Sequence, residues 1–186
     1  IRILWSKKGQ MLNGEIYYYD EWRGYELEKL LAQTRILPKE DGEFIFYNNY
    51  YSSIDSRVKI VEGRIDGEFI SWFSNGNEKM NGMIKNGSMV DEWVFYWPGE
   101  GQLLARGHYV NGDGGGIDEE YELNIPRNGR EGVWEYYYQN GKKWCKKTFK
   151  NGEPKGEYIE WHENGQKKVE GVYEGSTEWG YDKEDG

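Results

Sequence analysis

Apolar and polar residues alternate in short runs along most of the chain, which is typical of half-buried β-strands. Asn-Gly dipeptides separate many of these runs, and this dipeptide suits type I′ hairpin turns because both residues tolerate positive φ. Nine copies predict many hairpins. They begin at Asn13, Asn75, Asn81, Asn86, Asn111, Asn128, Asn140, Asn151 and Asn164.

One strand motif recurs along the chain, in the form Gly-Glu-Phe-Ile-Phe-Tyr in its first clear copy. Successive clear copies start 25, 24, 41 and 24 residues apart, so the long interval is one period plus an insertion. Each period is predicted to be one hairpin that stacks on like neighbours, as in other solenoids. The copies start at Gly42, Gly67, Asp91, Gly132 and Gly156, with a diverged copy at Gly14.

Strict alternation predicts which face of the second strand of each hairpin is buried. One face has a small apolar residue, a Gly and a large apolar residue in three of four copies, as in Met80, Gly82 and Ile84. Because Gly inside a strand usually marks a close approach, we expect a ring of the neighbouring strand to lie against it. The other copies have Ala105, Gly107, Tyr109; Cys145, Lys147, Phe149; and Val169, Gly171, Tyr173.

The first strand of each hairpin is apolar on both faces. We expect the first set to form largely a core face. For the second, aromatic set there are two alternatives: a curled sheet covers part of it, or it forms a concave aromatic strip that binds a partner. The predicted core set is Ile45, Tyr47, Ile70, Trp72, Val94, Tyr96, Glu135, Tyr137, Ile159 and Trp161. The second set is Phe44, Phe46, Phe69, Phe73, Trp93, Phe95, Trp97, Trp134, Tyr136, Tyr138 and Tyr158, with Glu160 and His162.

The predicted fold is therefore all-β, an elongated antiparallel β-hairpin repeat sheet in a single domain over 1–186. Two regions break the pattern. Leucines at helical spacing before Pro38 predict a short helix within Tyr25 to Leu37, with a distorted strand as the alternative. Glycines and acids predict a mobile acidic loop between Gly112 and Arg130. The parts are degenerate repeats 14–66, clearer repeats 67–112 and 132–175, the insertion 112–130, and a partial repeat or cap 176–186.

Composition excludes several classes of protein. With 17% aromatic residues among the 186, the chain is unlike disordered proteins, and no apolar run is long enough to cross a membrane. The net charge of -9 argues against nucleic acid and anionic lipid as main partners. The single cysteine, Cys145, excludes an internal disulfide framework. The start, Ile1 to Lys8, lacks signal-peptide features, which slightly favours the cytoplasm and leaves the compartment open.

Two stretches closely resemble the variant MORN (membrane occupation and recognition nexus) repeat that dominates the YwqK-type antitoxin family of bacteria. They are Gly-Val-Trp-Glu-Tyr-Tyr-Tyr-Gln-Asn-Gly-Lys-Lys from Gly132, and the run from Phe149 to Tyr158. The resemblance is strongest over Gly67 to Gly112 and Gly132 to Gly175. It implies a β-hairpin solenoid and, for the antitoxin members, a chain that binds and neutralises a toxin protein. The acidic insertion departs from a plain array.

Signatures of catalysis are absent from the sequence. The chain has two histidines and no nucleophile elbow, P-loop or zinc-protease motif, so we expect no catalytic residues, no metal and no cofactor. Glu160 and His162 are interpreted as a solvated surface pair, and Cys145 as a small packed hydrophobe. The insertion lacks the alternating ligands of a calcium loop. The lysines around Trp144 are interpreted as a solvated strand rather than a nucleic-acid patch.

These observations predict a non-enzymatic protein-binding repeat module, plausibly an antitoxin or immunity protein with a basic or neutral partner. The alternative is a cell-surface or secreted module that binds carbohydrate or another ligand with the same rings. Strand edges could pair with another chain, so the oligomeric state stays open. Exposed aromatic residues are favoured interface anchors. The predicted partner contacts are Trp72, Phe73, Trp97, Tyr138, Trp144, Trp161 and His162.

Overall fold

The computed structural model describes residues 5–7, 10–12, 41–48, 53–116 and 125–174. These residues form strands and turns only, with no helix among them. The strands are β1 (Trp5–Lys7), β2 (Gln10–Leu12), β3 (Gly42–Asn48), β4 (Ser53–Val61), β5 (Arg64–Ile65), β6 (Gly67–Trp72), β7 (Glu78–Lys85), β8 (Ser88–Tyr96), β9 (Leu103–Gly112), β10 (Arg130–Tyr137), β11 (Lys143–Lys150), β12 (Glu153–Trp161) and β13 (Lys167–Tyr173).

Strands β3 to β13 form one 11-stranded antiparallel sheet that is not closed into a barrel, and β1 and β2 form a separate hairpin. The sheet order is β13-β12-β11-β10-β9-β8-β7-β6-β4-β3, with the short β5 beside β4. The predicted all-β hairpin sheet is thus confirmed. The copy from Gly14, the helix within Tyr25 to Leu37 and the cap at 176–186 lie outside the described residues, as do residues 117–124 of the acidic insertion.

Tight turns connect one hairpin to the next along one edge of the sheet. Lys85 pairs with Ser88 across Asn86 and Gly87, whose φ angles of 51° and 78° are those of a type I′ turn. Glu62 with Gly63, and Asn151 with Gly152, make the same two-residue turn. In each of these three turns, a carboxylate accepts a hydrogen bond from the backbone N–H of the first turn residue. The pairs are Glu62 with Asp41 (2.8 Å), Asn86 with Asp66 (3.0 Å) and Asn151 with Glu131 (2.9 Å).

A longer turn closes each hairpin at the opposite edge. Gly76 N–H donates to the carbonyl of Phe73 (2.9 Å), and only Gly76 has positive φ, which is a type I turn followed by a left-handed residue. The same turn recurs around Gly141 and Gly165. Asn-Gly thus occurs in two kinds of hairpin turn. It forms the type I′ turn at Asn86 and Asn151, whereas Asn81-Gly82 and Asn111-Gly112 lie in strands β7 and β9.

The second-strand prediction is confirmed in the interior of the sheet, while the first-strand prediction is wrong. Trp93 and Trp134 are 0% exposed, so the second aromatic set faces the core. Those of its residues that lie within strands are on the same face of the sheet as the buried residues of the second strands. Ile70, Val94 and Ile159 are only half-buried on the opposite face. Pairing decides this, because residues directly opposite in an antiparallel ladder, such as Phe69 and Gly82, point to the same side.

A row of packed rings fills the core. Phe69 stacks on Trp93 at 5.7 Å between centroids, and Trp93 and Trp134 both meet Tyr109 edge-on, at 6.1 Å and 5.1 Å. A flat single sheet would leave this face in water, so the sheet must curve around it. Of the two alternatives for this aromatic set, cover within the molecule is the one observed in the interior hairpins.

The strand glycines accommodate those rings, as predicted. A Cβ at Gly82 would lie 2.2 Å from Cδ2 of Trp93, and one at Gly107 would lie 2.2 Å from Cδ2 of Trp134. Lys147 occupies the equivalent position in β11 and is 5% exposed. The ring of the next first strand, Tyr158, lies instead against Gly171 on its other side.

The base of the acidic insertion is attached to the sheet by a buried arginine. Arg130 is 0% exposed and donates to the carbonyls of Pro126 (2.8 Å) and Ile125 (2.7 Å) and to the hydroxyl of Tyr136 (3.0 Å). The hydroxyl of Tyr109 also donates to the carbonyl of Pro126 (2.5 Å). These bonds seat residues 125–130 over the core, beside the point where the insertion leaves β9.

Candidate binding face

The face of the sheet opposite the core is called the open face. On it, three parallel rows of side chains run across the first strands of the hairpins. The exposed row, called the acidic row, has Glu at four of five hairpins, and the two inner rows are half-buried. The acidic row is Glu43, Glu68, Glu92, Val133 and Glu157. The aliphatic row is Ile45, Ile70, Val94, Glu135 and Ile159. The aromatic row is Trp72, Tyr96, Tyr137 and Trp161.

The strand period and the bulge of each hairpin create these rows. Acidic and aliphatic positions are two residues apart, so they share a face. Before the aromatic position the register shifts, between Ser71 and Trp72 in β6 and between Phe95 and Tyr96 in β8. Hydrogen bonds place the rings on this side: Tyr137 donates to Glu135 (3.0 Å), and the Asn81 amide donates to the hydroxyl of Tyr96 (3.4 Å).

The aromatic row repeats once per hairpin. Its members lie on β6, β8, β10 and β12, which alternate with β7, β9 and β11 in the sheet. Because neighbouring strands are ~4.8 Å apart, the backbones that carry successive rings are about 9.6 Å apart across the sheet. Strands β9 and β10 are neighbours in the sheet despite the insertion between them, so the row members on β8 and β10 are also two strands apart.

Second strands contribute mostly polar side chains between the members of the aliphatic row. Arg57 lies between Ile45 and Ile70, and Arg106 lies between Val94 and Glu135. Asn81, Lys146 and Glu170 take the remaining positions of this cross-strand row. Across the middle of the open face, mostly apolar side chains of first strands therefore alternate with polar side chains of second strands, one per strand.

Glu135 is the one charged member of the aliphatic row and the centre of an ionic cluster. Its carboxylate accepts from Arg106 Nε (2.8 Å) and Nη2 (2.6 Å), from Lys143 Nζ (2.5 Å) and from the Tyr137 hydroxyl (3.0 Å). The hydrogen bond from Lys143, with those from Arg106 and Tyr137, lowers the pKa of Glu135 to about 2 against the opposing effect of burial. The cluster thus sets two cationic side chains against one carboxylate, and it fixes the Tyr137 ring.

Four of the predicted partner contacts lie at the edge formed by the longer turns. Phe73, Trp97, Tyr138 and His162 occupy equivalent positions, since each backbone N–H donates across its turn at 2.8 to 2.9 Å. Two of their polar groups are used between hairpins. Trp97 Nε1 donates to the carbonyl of Tyr137 (2.9 Å), and the Tyr138 hydroxyl donates to the carbonyl of Trp161 (2.7 Å). These two bonds join the hairpins β8–β9, β10–β11 and β12–β13 in series.

The predicted contact residues therefore divide among three places. Besides the four at the turn edge, Trp72 and Trp161 lie on the open face, and Trp144 packs against the core, as Trp97 also does. Trp144 meets Tyr138 at 5.9 Å and Tyr136 at 6.2 Å between ring centroids. Tyr96 and Tyr137 complete the aromatic row and are not among the predicted contacts. Their equivalence to Trp72 and Trp161 within the repeat is the available signal, although alternation predicts a core face for all four.

Chemistry at single residues is sparse in the described part of the chain. It contains no group of three His, Cys, Asp or Glu side chains that could hold a metal ion, and no helix long and apolar enough to cross a membrane. Cys145 is buried, as predicted. Glu160 pairs with Lys168 at 3.5 Å, and His162 is exposed at the turn. The three rows of the open face are the feature that repeats with every described hairpin from β6 to β13.

Comparison with known proteins assigns no family. No protein-family model matches the chain, and no curated protein matches it significantly.

Proposed function

We propose that this protein is a non-catalytic protein-binding module and that its open face binds the partner, in the manner of an antitoxin or immunity protein. The observation that carries the proposal is the aromatic row, with one half-exposed ring per hairpin on a face that the core does not use. Trp and Tyr give large, rigid contact areas at small entropic cost. The resemblance to the variant MORN repeat supports the same class of function.

The distribution of charge indicates how the face would recognise a partner. Residues 117–124 contribute four negative charges, and residues 175–186 contribute four against one lysine, so these segments hold seven of the net nine. The rest of the chain is close to neutral. Affinity for the open face would therefore come mainly from apolar and aromatic contact, with the acidic row selecting positive charge on the partner.

Co-expression with the product of the adjacent gene tests the proposal. The expected result is a complex that survives purification, together with relief of any growth arrest that the neighbour causes alone. A neighbour that is harmless and does not bind would contradict it.

Two variants locate the contact within the complex. Trp72→Ser with Trp161→Ser removes two rings of the open face, and Phe73→Ser removes one at the turn edge. The open-face variant is expected to raise Kd at least tenfold, as loss of two interface anchors does, while the Phe73 variant has a smaller effect. Urea unfolding of each free variant controls for loss of the fold, and the reverse order of effects would move the contact to the turn edge.

Carbohydrate binding is the second candidate function, since the same half-exposed rings can stack on sugars. It would not require the acidic row, so Glu92→Gln with Glu157→Gln would leave sugar binding unchanged. A glycan array with the full chain separates the two candidates, and an array without hits removes this one.

A further inference from the structure

We infer that Asn86 is a site of spontaneous deamidation, a reaction in which the side-chain amide is lost as ammonia and a carboxylate takes its place. Asn-Gly dipeptides are prone to this reaction because glycine has no side chain to shield its backbone nitrogen. The sequence has nine of them, and the structure describes all but the one at Asn13. Among the described copies, only Asn86 combines a free amide with an uncovered glycine. The inference is independent of the proposed function.

The reaction needs only the chain and water. The backbone nitrogen of the glycine attacks Cγ of the asparagine side chain, its proton passes to the amide group, and ammonia leaves. The resulting cyclic succinimide then takes up one water molecule. Opening at Cγ gives aspartate, whereas opening at the main-chain carbonyl gives isoaspartate, whose backbone is longer by one methylene. The asparagine amide must therefore be free to rotate, and the Asn-Gly peptide unit must have room to turn.

The need for a free amide excludes most of the described copies, because their side chains are hydrogen-bonded. The Asn81 amide donates to Glu78 (3.0 Å), and the Asn128 amide donates to Asp113 (3.1 Å). Each bond that must break first slows ring closure by about two- to tenfold. In the longer turns the side-chain oxygen accepts from the backbone N–H two residues on. The pairs are Asn75 with Asn77 (3.0 Å), Asn140 with Lys142 (3.0 Å) and Asn164 with Gln166 (2.9 Å).

Three asparagines at the opposite edge of the sheet have free amides. Asn86, Asn111 and Asn151 are exposed and have φ angles of 51°, 53° and 52°. Their side chains make no hydrogen bond with any part of the chain that the structure describes. Each lies at or just beyond the end of a second strand, so the three occupy equivalent positions in the repeat.

The space around the following glycine separates Asn86 from the other two. Gly112 and Gly152 are buried under the base of the insertion, and a Cβ at either would lie 2.9 Å from a backbone oxygen of residues 127–128. A Cβ at Gly87 would meet no atom within 4 Å. The peptide unit between Asn86 and Gly87 therefore has room to turn, whereas the insertion holds the other two in place.

The attacking nitrogen is held in the same way in both kinds of turn. Gly87 N–H donates to the carbonyl of Ile65 (2.9 Å), and Gly152 N–H donates to that of Arg130 (2.9 Å). The glycines of the longer turns each donate one such bond as well. This bond slows the reaction alike at all of them, so the freedom of the amide and of the peptide unit decides the order.

Deamidation would alter the join between two hairpins. Isoaspartate at this position lengthens the two-residue turn that closes the pair of Lys85 and Ser88, and it displaces the Gly87 N–H from its acceptor. Either product also adds a carboxylate beside that of Asp66, which binds this turn at 3.0 Å. Like charges at this distance repel, so we expect both products to weaken the turn.

Mass spectrometry of the full chain tests the inference. The folded protein is incubated at mildly alkaline pH in water labelled with heavy oxygen, and proteolytic peptides report the rate at each Asn-Gly dipeptide. The same incubation in guanidinium chloride gives the rates without the fold. The ratio of unfolded to folded rate is expected to be lowest at Asn86. It should be about fivefold higher or more at Asn75, Asn140 and Asn164, and also higher at Asn151.

Two variants test the physical basis. Gln166→Ala removes the side-chain oxygen that accepts from the Asn164 amide at 3.1 Å, so Asn164 in the folded protein should react about two- to tenfold faster. Asn86→Gln is the control for assignment. Because glutamine would have to close a larger ring, this variant should lose the product at its own dipeptide and at no other.

Equal ratios at Asn86 and Asn140 would overturn the inference, because the fold would then not select the site. A lower ratio at Asn151 than at Asn86 would overturn it too, as would the absence of product at Asn86 while the denatured chain reacts. An unchanged rate at Asn164 in the Gln166→Ala variant would overturn its physical basis. The proposed function enters none of these measurements, so it stands or fails separately.

Discussion

The indole ring of Trp134 lies so close to Gly107 on the neighbouring strand that a Cβ at this glycine would stand 2.2 Å from Cδ2 of the ring. Gly82 has the same relationship to Trp93 one hairpin earlier. Both rings are fully buried, so neither can move aside without disturbing the row of rings around it. Successive hairpins are thus interlocked through a strand position that only glycine fits.

Gly107→Ala is expected to destabilise the protein by about 3 kcal/mol, because the methyl group overpacks a site that cannot relax. Gly171→Ala is the matched control: its added methyl would meet the outer end of the half-exposed Tyr158 ring, which can shift, and we expect about 1 kcal/mol. Urea unfolding measures both. Equal losses would show that the interior rings are not held as tightly as their burial indicates.

The ionic cluster around Glu135 makes stability depend on pH. The pKa of Glu135 is about 2 in the folded protein against an ordinary 4.5, so folding favours the charged form. Its contribution is complete above about pH 4.5 and is lost as pH falls toward 2. The difference in unfolding free energy between the wild type and Glu135→Gln should shrink over this window. A difference that stays constant from pH 5 to 2 would contradict the low pKa.

Hydrogen bonds at the turn edge join the hairpins. Tyr138→Phe removes the donor to the carbonyl of Trp161 at 2.7 Å and should cost about 1 kcal/mol. Tyr96→Phe is the matched control, since the Tyr96 hydroxyl has only a 3.4 Å contact with Asn81, and we expect little change. Urea midpoints compare the two, and a larger loss at Tyr96 would move the stabilising contact to the open face.

Arg130 is predicted to hold the base of the insertion. Arg130→Lys keeps a charge but cannot donate to Pro126, Ile125 and Tyr136 together, so we expect a loss of about 3 kcal/mol and faster amide exchange over residues 125–130. Tyr109→Phe removes only one bond to the same loop and should cost about 1 kcal/mol. Unchanged exchange in the lysine variant would show that other contacts hold this loop.

Particular residues show how far the sequence alone could lead. The inward face of the second strands was predictable because apolar residues such as Met80 and Ile84 alternate with polar residues along these strands. The core side of the first strands was not, since both of their faces are apolar. Carboxylate caps such as Asp66 also escaped prediction, because each binds a turn about 20 residues away. The repeat of an acid before the strand glycine was the only signal.

The sequence by itself determined the hairpin period, the all-β class and the place of the insertion, because these depend on local alternation and turn residues. Tertiary structure alone decided which aromatic side chains are buried. Strand pairing places Phe69, Trp93 and Trp134 on the same side as the strand glycines, where the rings have room, and so leaves Trp72, Tyr96, Tyr137 and Trp161 as a row on the opposite face. The buried side is set by the pairing of neighbouring strands, so it cannot be predicted from the sequence of any single strand.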